Sequence, residues 1–446
     1  MSSEPAMVRS RAGSLHLLVS GRCNLACAYC YQRPRRVPPR MPWPVARAAL
    51  DFLMAEGAPP LTVDFGGGEP LLEFSLLKRC VAYVEAKRDG AARYIVTTNG
   101  TLLTRKNYQF LASRDFSLRL SFDGPAELQN RRGAGTTAKL ESALRFMREE
   151  APGHFRKNVR IGAMLSPETL GMWSGSARYF MEIGAPAVSY SPVMGGREPF
   201  TPESRRVLRE QALAVAEASA EHWKRTGRVP LAFLREPNAE RKEAEGSFSC
   251  NAATGGSLCV STDGRAWTCP LYVPGLQRLT ALAAEAAMAL YVGDVRDSKL
   301  KRRLAGVPER AAAFPFLADR GGLFSDLGRC GECDLLGDCS YCPASVSHAR
   351  GGADPRRVPD FHCAFTRAKA LARSRFHELT GGRVWRSRLS QMEEALRKLA
   401  CAIERDLGKM ETEKKGNRET GKNKAGRETM RRRDGPMRAC SGGRRP

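Results

Sequence analysis

The chain has 446 residues, of which 42% are hydrophobic and 27% are charged, and its formal net charge is +25. This length suits two domains plus an appendage, and the composition is ordinary for a soluble protein. A membrane-spanning protein is excluded, because no apolar run reaches the roughly 18 residues of a span and residues 1–20 lack the pattern of a secretory signal. We expect a cytoplasmic protein, and its 14 cysteines point toward metal binding and away from disulfides.

From residue 14 to about residue 226, short β-rich runs alternate with longer helical patterns. The predicted strands cover residues 15–20, 61–65, 94–98, 118–122, 159–165 and 187–192. The helical patterns that follow them cover residues 43–56, 71–88, 104–113, 136–149, 168–183 and 202–226. Six consecutive βα units predict a parallel sheet with right-handed crossovers, two units short of a closed (β/α)8 barrel. The predicted fold class is therefore α/β, with a partial (β/α)6 barrel.

The pattern changes beyond residue 226. Residues 227–249 are polar and irregular and predict a linker. Residues 387–407 carry apolar side chains at spacings of three and four, which predicts an amphipathic helix. Residues 411–446 hold 12 Lys or Arg against 5 Asp or Glu and predict a disordered basic tail. The expected division is an N-terminal extension (1–13), a core domain (14–235), a small cysteine-rich domain (236–380), the amphipathic helix (381–410) and the tail (411–446).

The net charge is compatible with a nucleic-acid partner, an acidic peptide partner or merely a basic tail. The tail accounts for part of the charge, and the sequence lacks the aromatic-and-basic motifs of RNA-reading proteins. A nucleic-acid partner is therefore disfavoured.

Three cysteines lie within eight residues, directly after the first predicted strand. Cys23, Cys27 and Cys30 have C-x3-C-x2-C spacing. Thiolates this close can share one metal centre, and three of them leave an open coordination position where chemistry can take place. A structural zinc site usually has a fourth ligand in reach, whereas the next cysteine, Cys80, lies far along the chain in an apolar helical pattern. The spacing therefore favours an iron–sulfur cluster over zinc.

Short polar or glycine-rich motifs follow the next three predicted strands. They are Gly67-Gly68-Glu69-Pro70, Thr97-Thr98-Asn99-Gly100 and Ser121-Phe122-Asp123-Gly124. Parallel βα folds place ligand sites at the carboxyl ends of their strands, so these motifs and the cysteines are expected at one edge of the sheet. Glycines there let a ligand approach the backbone closely. The competing interpretation is ordinary turn chemistry, because Asn-Gly and Asp-Gly are common turns.

With Tyr29 just before the third cysteine and the glycine motif after the second strand, the sequence resembles the radical S-adenosylmethionine (radical SAM) enzymes. In that family three cysteines hold a 4Fe–4S cluster, whose fourth iron binds S-adenosylmethionine, and reductive cleavage releases a 5′-deoxyadenosyl radical. The resemblance implies that Cys23, Cys27 and Cys30 are the catalytic cluster ligands. The cofactor-binding residues that it implies are Tyr29, through its backbone, and Gly67, Gly68, Glu69, Asn99, Ser121, Asp123 and Arg132.

A second cysteine group between residues 250 and 363 contains eight thiols, enough for two fully ligated clusters. Its spacing resembles the SPASM extension of radical SAM enzymes, although two residues instead of three separate Cys339 from Cys342. The resemblance implies two auxiliary 4Fe–4S clusters, the first held by Cys250, Cys259, Cys269 and Cys342 and the second by Cys330, Cys333, Cys339 and Cys363. Cys259 lies outside the family's seven-cysteine pattern. Two zinc ribbons are the alternative, because C-x2-C pairs also suit zinc.

The resemblance implies an enzyme that oxidatively modifies a peptide or protein side chain, as the maturases of ribosomally made peptides do. A formylglycine-generating enzyme of the anaerobic sulfatase-maturating type is the alternative, but such enzymes carry an acidic base where this chain has Pro270. A non-catalytic electron carrier, which the complete glycine motif disfavours, and an RNA-modifying enzyme are further alternatives. The implied partners are the substrate, a reductant such as ferredoxin or flavodoxin, and a separate leader-peptide-binding protein.

Overall fold

The computed structural model describes residues 13–57, 59–87, 92–195, 200–235, 250–336, 339, 341–349 and 354–381. These residues belong to one compact unit. The predicted N-terminal extension apart from Gly13, the amphipathic helix beyond Gly381, the basic tail and most of the predicted linker lie outside the described residues.

Most strands of the described chain belong to a single sheet. They are β1 (Ser14–Ser20), β2 (Thr62–Gly67), β3 (Arg93–Thr98), β4 (Ser117–Ser121), β5 (Val159–Leu165), β6 (Val188–Pro192), β7 (Ser257–Val260), β8 (Arg265–Trp267) and β9 (Tyr291–Asp294). Their order across the sheet is β6-β5-β4-β3-β2-β1-β7-β8-β9. A small antiparallel pair, β10 (Phe324–Ser325) and β11 (Gly328–Arg329), lies apart from it.

The first six strands are all parallel, which confirms the predicted (β/α)6 arrangement. Alternate residues along β3 to β6 are buried, as Leu118 and Leu120 are on either side of the exposed Arg119, whereas β1 and β2 have continuous buried runs. This period of two is expected where one face of a sheet is covered and the other stays open. The same alternation made the strands recognisable in the sequence.

The cysteine-rich domain begins inside the core sheet. β7 pairs in parallel with β1, with Ser257 opposite Ser14, and β8 and β9 then add in antiparallel fashion. The sequence predicts a second domain that follows the core, and the structure refines this prediction, because the first strand of that domain extends the core sheet. The second cysteine group therefore starts beside the strand that leads into the first cysteine loop.

Helices connect the strands. Those of the core are α1 (Trp43–Glu56), α2 (Phe74–Lys87), α3 (Arg105–Ser113), α4 (Ala126–Gln129), α5 (Thr136–Glu150), α6 (Pro152–Asn158), α7 (Trp173–Glu182), α8 (Pro202–Thr226) and α9 (Ala232–Arg235). Beyond β7 they are α10 (Ala281–Ala289), α11 (Leu300–Ala305), α12 (Val307–Ala311), α13 (Pro315–Ala318), α14 (Ala344–Ser347) and α15 (Asp360–Thr380). Within the described ranges, none of these helices combines the length and apolar character that crossing a membrane requires.

Local signals set several helix ends. At the start of α3, the Thr104 hydroxyl accepts the Asn107 N–H, and the Asn107 side chain accepts the Thr104 N–H in return. The Thr201 side chain caps α8 by accepting the Ser204 N–H, and α8 is followed by Gly227, whose φ of 64° is left-handed. Because such caps are visible in the sequence, the predicted range 202–226 agrees with α8.

The first part of the predicted linker is wrong. Leu231 and Leu234 are fully buried, residues 232–235 form α9, and Leu231 bridges to Val188 at the edge of the sheet. Two leucines spaced by three were too weak a pattern to predict a helix of one turn. The core domain therefore includes this segment as packed structure.

α15 connects the last cysteine to the core. It packs along α8 and against α9, and the ring of its Phe365 lies 5.1 Å from that of Trp173 on α7. Cys363 lies in the first turn of this helix. The helix that docks on the core domain therefore also positions a thiol of the second group.

Candidate active site

The loops that follow the first four strands meet around the cysteine segment. The Asn24 amide donates to the Thr101 hydroxyl at 2.8 Å, and the Asn99 amide donates to Asn24 Oδ1 at 2.9 Å. The Ala28 N–H donates to the Arg131 carbonyl at 2.7 Å. These bonds join the cysteine segment to the ends of β3 and β4, as the shared edge of a parallel sheet requires. Sequence reasoning missed Asn24 and Thr101, because nothing but their partners marks them.

Hydrogen-bond donors lie beside the outer two thiols of the segment. Asn99 Nδ2 lies 3.8 Å from Cys23 Sγ, and Arg35 Nη2 donates to Cys30 Sγ at 3.2 Å. Donors and positive charge next to sulfur stabilise the thiolate, which is the form that binds iron. Arg35 is a further residue that sequence reasoning missed.

The middle thiol of the segment, Cys27, is partly buried. Burial raises the pKa of Cys27, Arg132 lowers it, and the thiols of Cys30 and Cys23 raise it further. The three sulfurs therefore influence one another electrostatically. Thiols that interact with one another, with donors and with an arginine fit a three-cysteine iron–sulfur site.

Gly67 and Gly68 lie directly against the backbone that begins the cysteine loop. A Cβ atom on Gly67 would overlap the Ser20 carbonyl, and one on Gly68 would overlap the Arg22 carbonyl. The Gly68 N–H donates to the Ser20 carbonyl at 2.7 Å, and the Glu69 N–H donates to the Arg22 carbonyl at 2.8 Å. Only glycine permits this close approach. The glycine run therefore braces the cysteine loop, a role that sequence reasoning did not foresee.

Glu69 is fully buried, and its carboxylate accepts hydrogen bonds within the protein. The donors are the Thr98 hydroxyl at 2.7 Å, the Asn99 N–H at 2.8 Å and the Leu71 N–H at 3.0 Å. Burial raises the pKa of Glu69, and these donors lower it. The side chain therefore links the end of β2 to the end of β3. Because the carboxylate of Glu69 is occupied by these donors, the ligand contact that the resemblance implies for Glu69 would be made by its backbone.

Asp123 and Arg132 form a buried ion pair at the end of β4. Arg132 Nε and Nη2 donate to the two carboxylate oxygens of Asp123 at 2.9 and 2.8 Å. The same carboxylate accepts the Tyr29 hydroxyl and the Met164 N–H. Four donors saturate an Asp carboxylate. Asp123 therefore positions Tyr29 of the cysteine loop, which differs from the direct ligand contact that the resemblance implies.

Asn99 and Ser121 remain predicted cofactor contacts. Asn99 is buried, and its side chain already bridges Asn24 and Cys23. Ser121 is the half-buried last residue of β4 and lies opposite Gly162 on β5. Both lie at the carboxyl edge of the sheet, where the sequence places them.

A cavity of about 1120 Å³ lies beside the cysteine loop. Residues 28–31 of that loop, residues 166–168 after β5 and residues 193–195 after β6 form its core walls. The cysteine-rich domain adds residues between 275 and 280 together with His348. Because pockets for small ligands measure about 300–1,000 Å³, this cavity has room for a cofactor and part of a substrate.

The electrostatic influences among the thiols of the second cysteine group fall into two sets. Burial raises the pKa of Cys269 well above its ordinary value, and the thiols of Cys342, Cys250 and Cys259 raise it further. These four residues come from distant parts of the sequence. They are the set that the resemblance implies for the first auxiliary cluster.

The other set surrounds Cys330. Burial raises the pKa of Cys330 to about 11, with contributions from the thiols of Cys339, Cys363 and Cys333. All twelve cysteines within the described residues are free thiols. In the same part of the chain, no group of three or more His, Cys, Asp or Glu side chains is arranged to hold a single metal ion. Free thiols gathered in two sets fit the donor chemistry of iron–sulfur clusters.

Cys259 has a different environment from the rest of its set. It is fully buried on β7, opposite Trp267 of β8, and belongs to an apolar cluster with Leu18, Val273 and Leu276. Burial and the nearby Asp64 raise the pKa of Cys259. Enclosure by apolar side chains favours a core role for this thiol over the ligand role that the resemblance implies.

His348 lines the cavity, and sequence reasoning missed it because the six histidines show no ligand spacing. Its Nε2 donates to the Leu271 carbonyl at 2.9 Å, so the neutral ring keeps Nδ1 as an acceptor. Burial lowers the pKa of His348, although the bond to Leu271 raises it in part. The ring can therefore accept a proton at neutral pH.

Comparison with known proteins finds similarity within the core domain. Residues 17–170 match the model of the Radical SAM superfamily. The chain is 33% identical over 115 residues to an uncharacterized protein of Methanocaldococcus jannaschii, across 25% of this chain and 40% of that protein. It is 24% identical over 128 residues to the radical SAM cyclopropyl synthase TigE of Paramaledivibacter caminithermalis, across 25% of this chain and 27% of that protein.

A third relative is the cysteine-type anaerobic sulfatase-maturating enzyme of Clostridium perfringens. The identity is 26% over 177 residues, which cover 36% of this chain and 46% of that enzyme. The chain thus spans between 27% and 46% of the length of these three relatives.

Solved structures share the fold. That of anSMEcpe with bound AdoMet superimposes with a TM-score of 0.61 at 18% identity, across 84% of this chain and 98% of that one. Streptococcus suis SuiB bound to its precursor peptide SuiA superimposes with a TM-score of 0.51 at 16% identity, across 79% of this chain and 76% of that one. The fold is therefore common to these proteins over most of the chain, which confirms the predicted fold class.

Proposed function

We propose that this chain, whose core is a radical SAM domain, cleaves S-adenosylmethionine and oxidatively modifies a side chain of a peptide or protein. TigE is a cyclopropyl synthase, a third relative matures sulfatases, and SuiB has been solved with a precursor peptide. These relationships support a place among the maturases of ribosomally made peptides.

The cavity carries this proposal. It joins the loop of Cys23, Cys27 and Cys30 to residues of the cysteine-rich domain around one partly open space. A cluster at the cysteine loop would face the same volume as groups held by the second domain. An electron carrier needs no cavity of about 1120 Å³ beside its cluster, whereas an enzyme that acts on a peptide does.

The three sets of thiols support the proposed iron–sulfur cofactors. Cys23, Cys27 and Cys30 would hold the cluster that binds S-adenosylmethionine, and the sets around Cys269 and Cys330 would hold two auxiliary clusters. When bound, these groups supply the 5′-deoxyadenosyl radical that removes a hydrogen atom from substrate and the acceptor for one electron. A reductant such as ferredoxin or flavodoxin would reload the first cluster, and a separate protein would bind a leader peptide.

His348 supplies the base that the oxidation needs. A side chain that loses a hydrogen atom and one electron becomes a cation, which must also lose a proton to reach a neutral closed-shell product. Nε2 of His348 is occupied by the Leu271 carbonyl, so Nδ1 receives the proton. Glu168, the one carboxylate among the described residues that line the cavity, is already paired with Arg131.

Formylglycine formation is the second candidate, which the fold shared with anSMEcpe favours. Such enzymes carry an acidic base after the cysteine of the G-x4-C motif, where this chain has Pro270. Pro270 opens a short 3-10 helix and has no proton acceptor on its side chain. Peptide maturation with His348 as base therefore fits the site better.

The test is anaerobic reconstitution followed by reduction with dithionite in the presence of S-adenosylmethionine. We expect 5′-deoxyadenosine to form. With a peptide substrate, we also expect a product that is lighter by two hydrogen atoms, whether the oxidation gives a double bond or a new crosslink. A Cys80→Ala variant serves as the control and should still cleave S-adenosylmethionine, because Cys80 is a buried core thiol on α2. Protein that contains only zinc, or that leaves S-adenosylmethionine intact, would refute the proposal. RNA retained at high salt would favour an RNA substrate instead.

A further inference from the structure

Three exposed arginines line one wall of the cavity. Arg33 and Arg36 come from the segment that follows the cysteine loop, and Arg278 comes from the segment between β8 and α10. All three arginines line the same cavity as Tyr31 and Cys30.

The backbone beneath these arginines is held by contacts between the two domains. The Arg36 N–H donates to the Gly275 carbonyl, and Pro34 forms a β-bridge with Gln277. The buried Gln277 side chain donates in turn to the Leu271 carbonyl. Gly275 lies so close that a Cβ there would come 3.1 Å from the Arg36 carbonyl oxygen. The wall is therefore built into the fold before any ligand binds.

The positive charge of this wall is not balanced locally. Glu168 is paired with Arg131, and no Asp or Glu of the described chain forms a salt bridge with Arg33, Arg36 or Arg278 within 4.0 Å. Positive groups that line a partly enclosed space create a potential that attracts anions and raises their local concentration. The cavity therefore favours a negatively charged occupant.

We propose that Arg33, Arg36 and Arg278 bind acidic side chains of the peptide substrate, beside the residue that reacts. This inference rests on the proposed function, and it defines the substrate class as peptides with Asp or Glu near the modified position. Guanidinium groups bind carboxylates through two parallel hydrogen bonds, which gives register as well as attraction.

S-Adenosylmethionine also carries a carboxylate, so the same chemistry has two sources. One carboxylate can occupy one guanidinium fork, whereas the wall presents three. None of the three arginines is among the residues that the resemblance implies for the cofactor. We therefore assign the three arginines to the peptide, and the experiment measures binding of the cofactor separately.

The experiment compares two fluorescein-labelled peptides that differ solely in carrying four Glu or four Gln around a central Cys and Ser. Binding to the reconstituted enzyme is measured by fluorescence anisotropy, and S-adenosylmethionine binding is measured in parallel. The variants are the triple Arg33→Ala/Arg36→Ala/Arg278→Ala and the same triple substitution to Lys. Arg302→Ala is the matched control, because Arg302 is exposed on α11 and does not line the cavity.

We expect the Glu peptide to bind the unaltered enzyme about tenfold more tightly than the Gln peptide. The triple Ala variant should bring this ratio to about one to twofold, the Lys variant should keep an intermediate ratio, and Arg302→Ala should keep the full ratio. The basic tail is the same in every variant, so its attraction for the Glu peptide does not change when the binding ratios of two variants are compared. Iron content and thermal midpoint verify that each variant is folded.

An unchanged ratio in the triple Ala variant would overturn the inference. So would weaker S-adenosylmethionine binding with an unchanged peptide ratio, because the arginines would then serve the cofactor. Failure of the proposed function is a different outcome, in which S-adenosylmethionine stays intact or is cleaved without modification of a peptide, whatever the binding ratio.

Discussion

The two cysteine groups of this protein are positioned by different means. The first occupies a single loop between β1 and α1, braced by the glycine run of β2 and by hydrogen bonds to the ends of β3 and β4. The second is assembled from separate pieces, which are the segment before β7, β7 itself, the segment just after β8, the segment around 330–342 and the first turn of α15.

This difference shows two ways to gather ligands. A parallel sheet brings successive loops to one edge, so the first site follows from topology. The second site depends on the packing of short helices and of α15 against the core, where each thiol is fixed by different neighbours. We expect the first group to control cleavage of the cofactor and the second to control what happens to the substrate.

The largest effect should separate the two groups directly. Cys30→Ala should lower 5′-deoxyadenosine formation by more than about 1000-fold, because it removes a ligand of the site that binds the cofactor. Cys330→Ala should leave that reaction within about fivefold and abolish the peptide product. Both are measured by chromatography and mass spectrometry on the same samples. Equal loss of cofactor cleavage in the two variants would remove the distinction.

The bracing of the first group depends on the ion pair behind it. Asp123→Ala leaves Arg132 buried without a partner, which should cost about 3–5 kcal/mol of unfolding free energy. Asp51→Ala is the control, because Asp51 pairs with exposed Arg47 and Lys87, and it should cost less than about 1 kcal/mol. Chemical denaturation measures both. Adding Arg132→Met to Asp123→Ala should recover at least half of the loss, and no recovery would contradict the assigned role.

His348 tests whether the second domain acts on the substrate. His348→Gln keeps a donor for the Leu271 carbonyl and removes the basic nitrogen, so peptide product should fall about 100-fold while 5′-deoxyadenosine forms as before. Burial lowers the pKa of His348, so the wild-type rate should stay level above pH 6.5 and fall below it, as the ring protonates. His348→Gln should lose this acid limb. An identical pH profile in both proteins would exclude His348 as the base.

The smallest effect sharpens the boundary of the second group. Cys259→Ala should cost about 1–1.5 kcal/mol through the small cavity it leaves among apolar side chains, with iron content unchanged. Cys269→Ala should instead remove about four irons per chain. Iron analysis and denaturation of the two variants provide the comparison. A matching iron loss in Cys259→Ala would restore the ligand role that the resemblance implies.

Much of the core could be predicted from the chain. Alternating apolar residues, Thr caps and the glycine at the end of α8 are local signals, so the six strands and most core helices were predicted to within a few residues. α9 was missed, because its four residues owe their helical form to burial of Leu231 and Leu234 against the sheet. Local patterns cannot report contacts of that kind.

The spacing of Cys23, Cys27 and Cys30 and the motifs after the next three strands were sufficient to place a site at one sheet edge, because parallel strands carry their loops there. Tertiary structure alone decided that Asp123 and Glu69 are internal braces, that Cys259 packs among apolar side chains, and that His348 and three arginines face one cavity. These facts depend on which distant segments touch. The burial of a side chain and the lining of a cavity depend on contacts between distant segments, so they cannot be predicted from the residues next to it in the sequence.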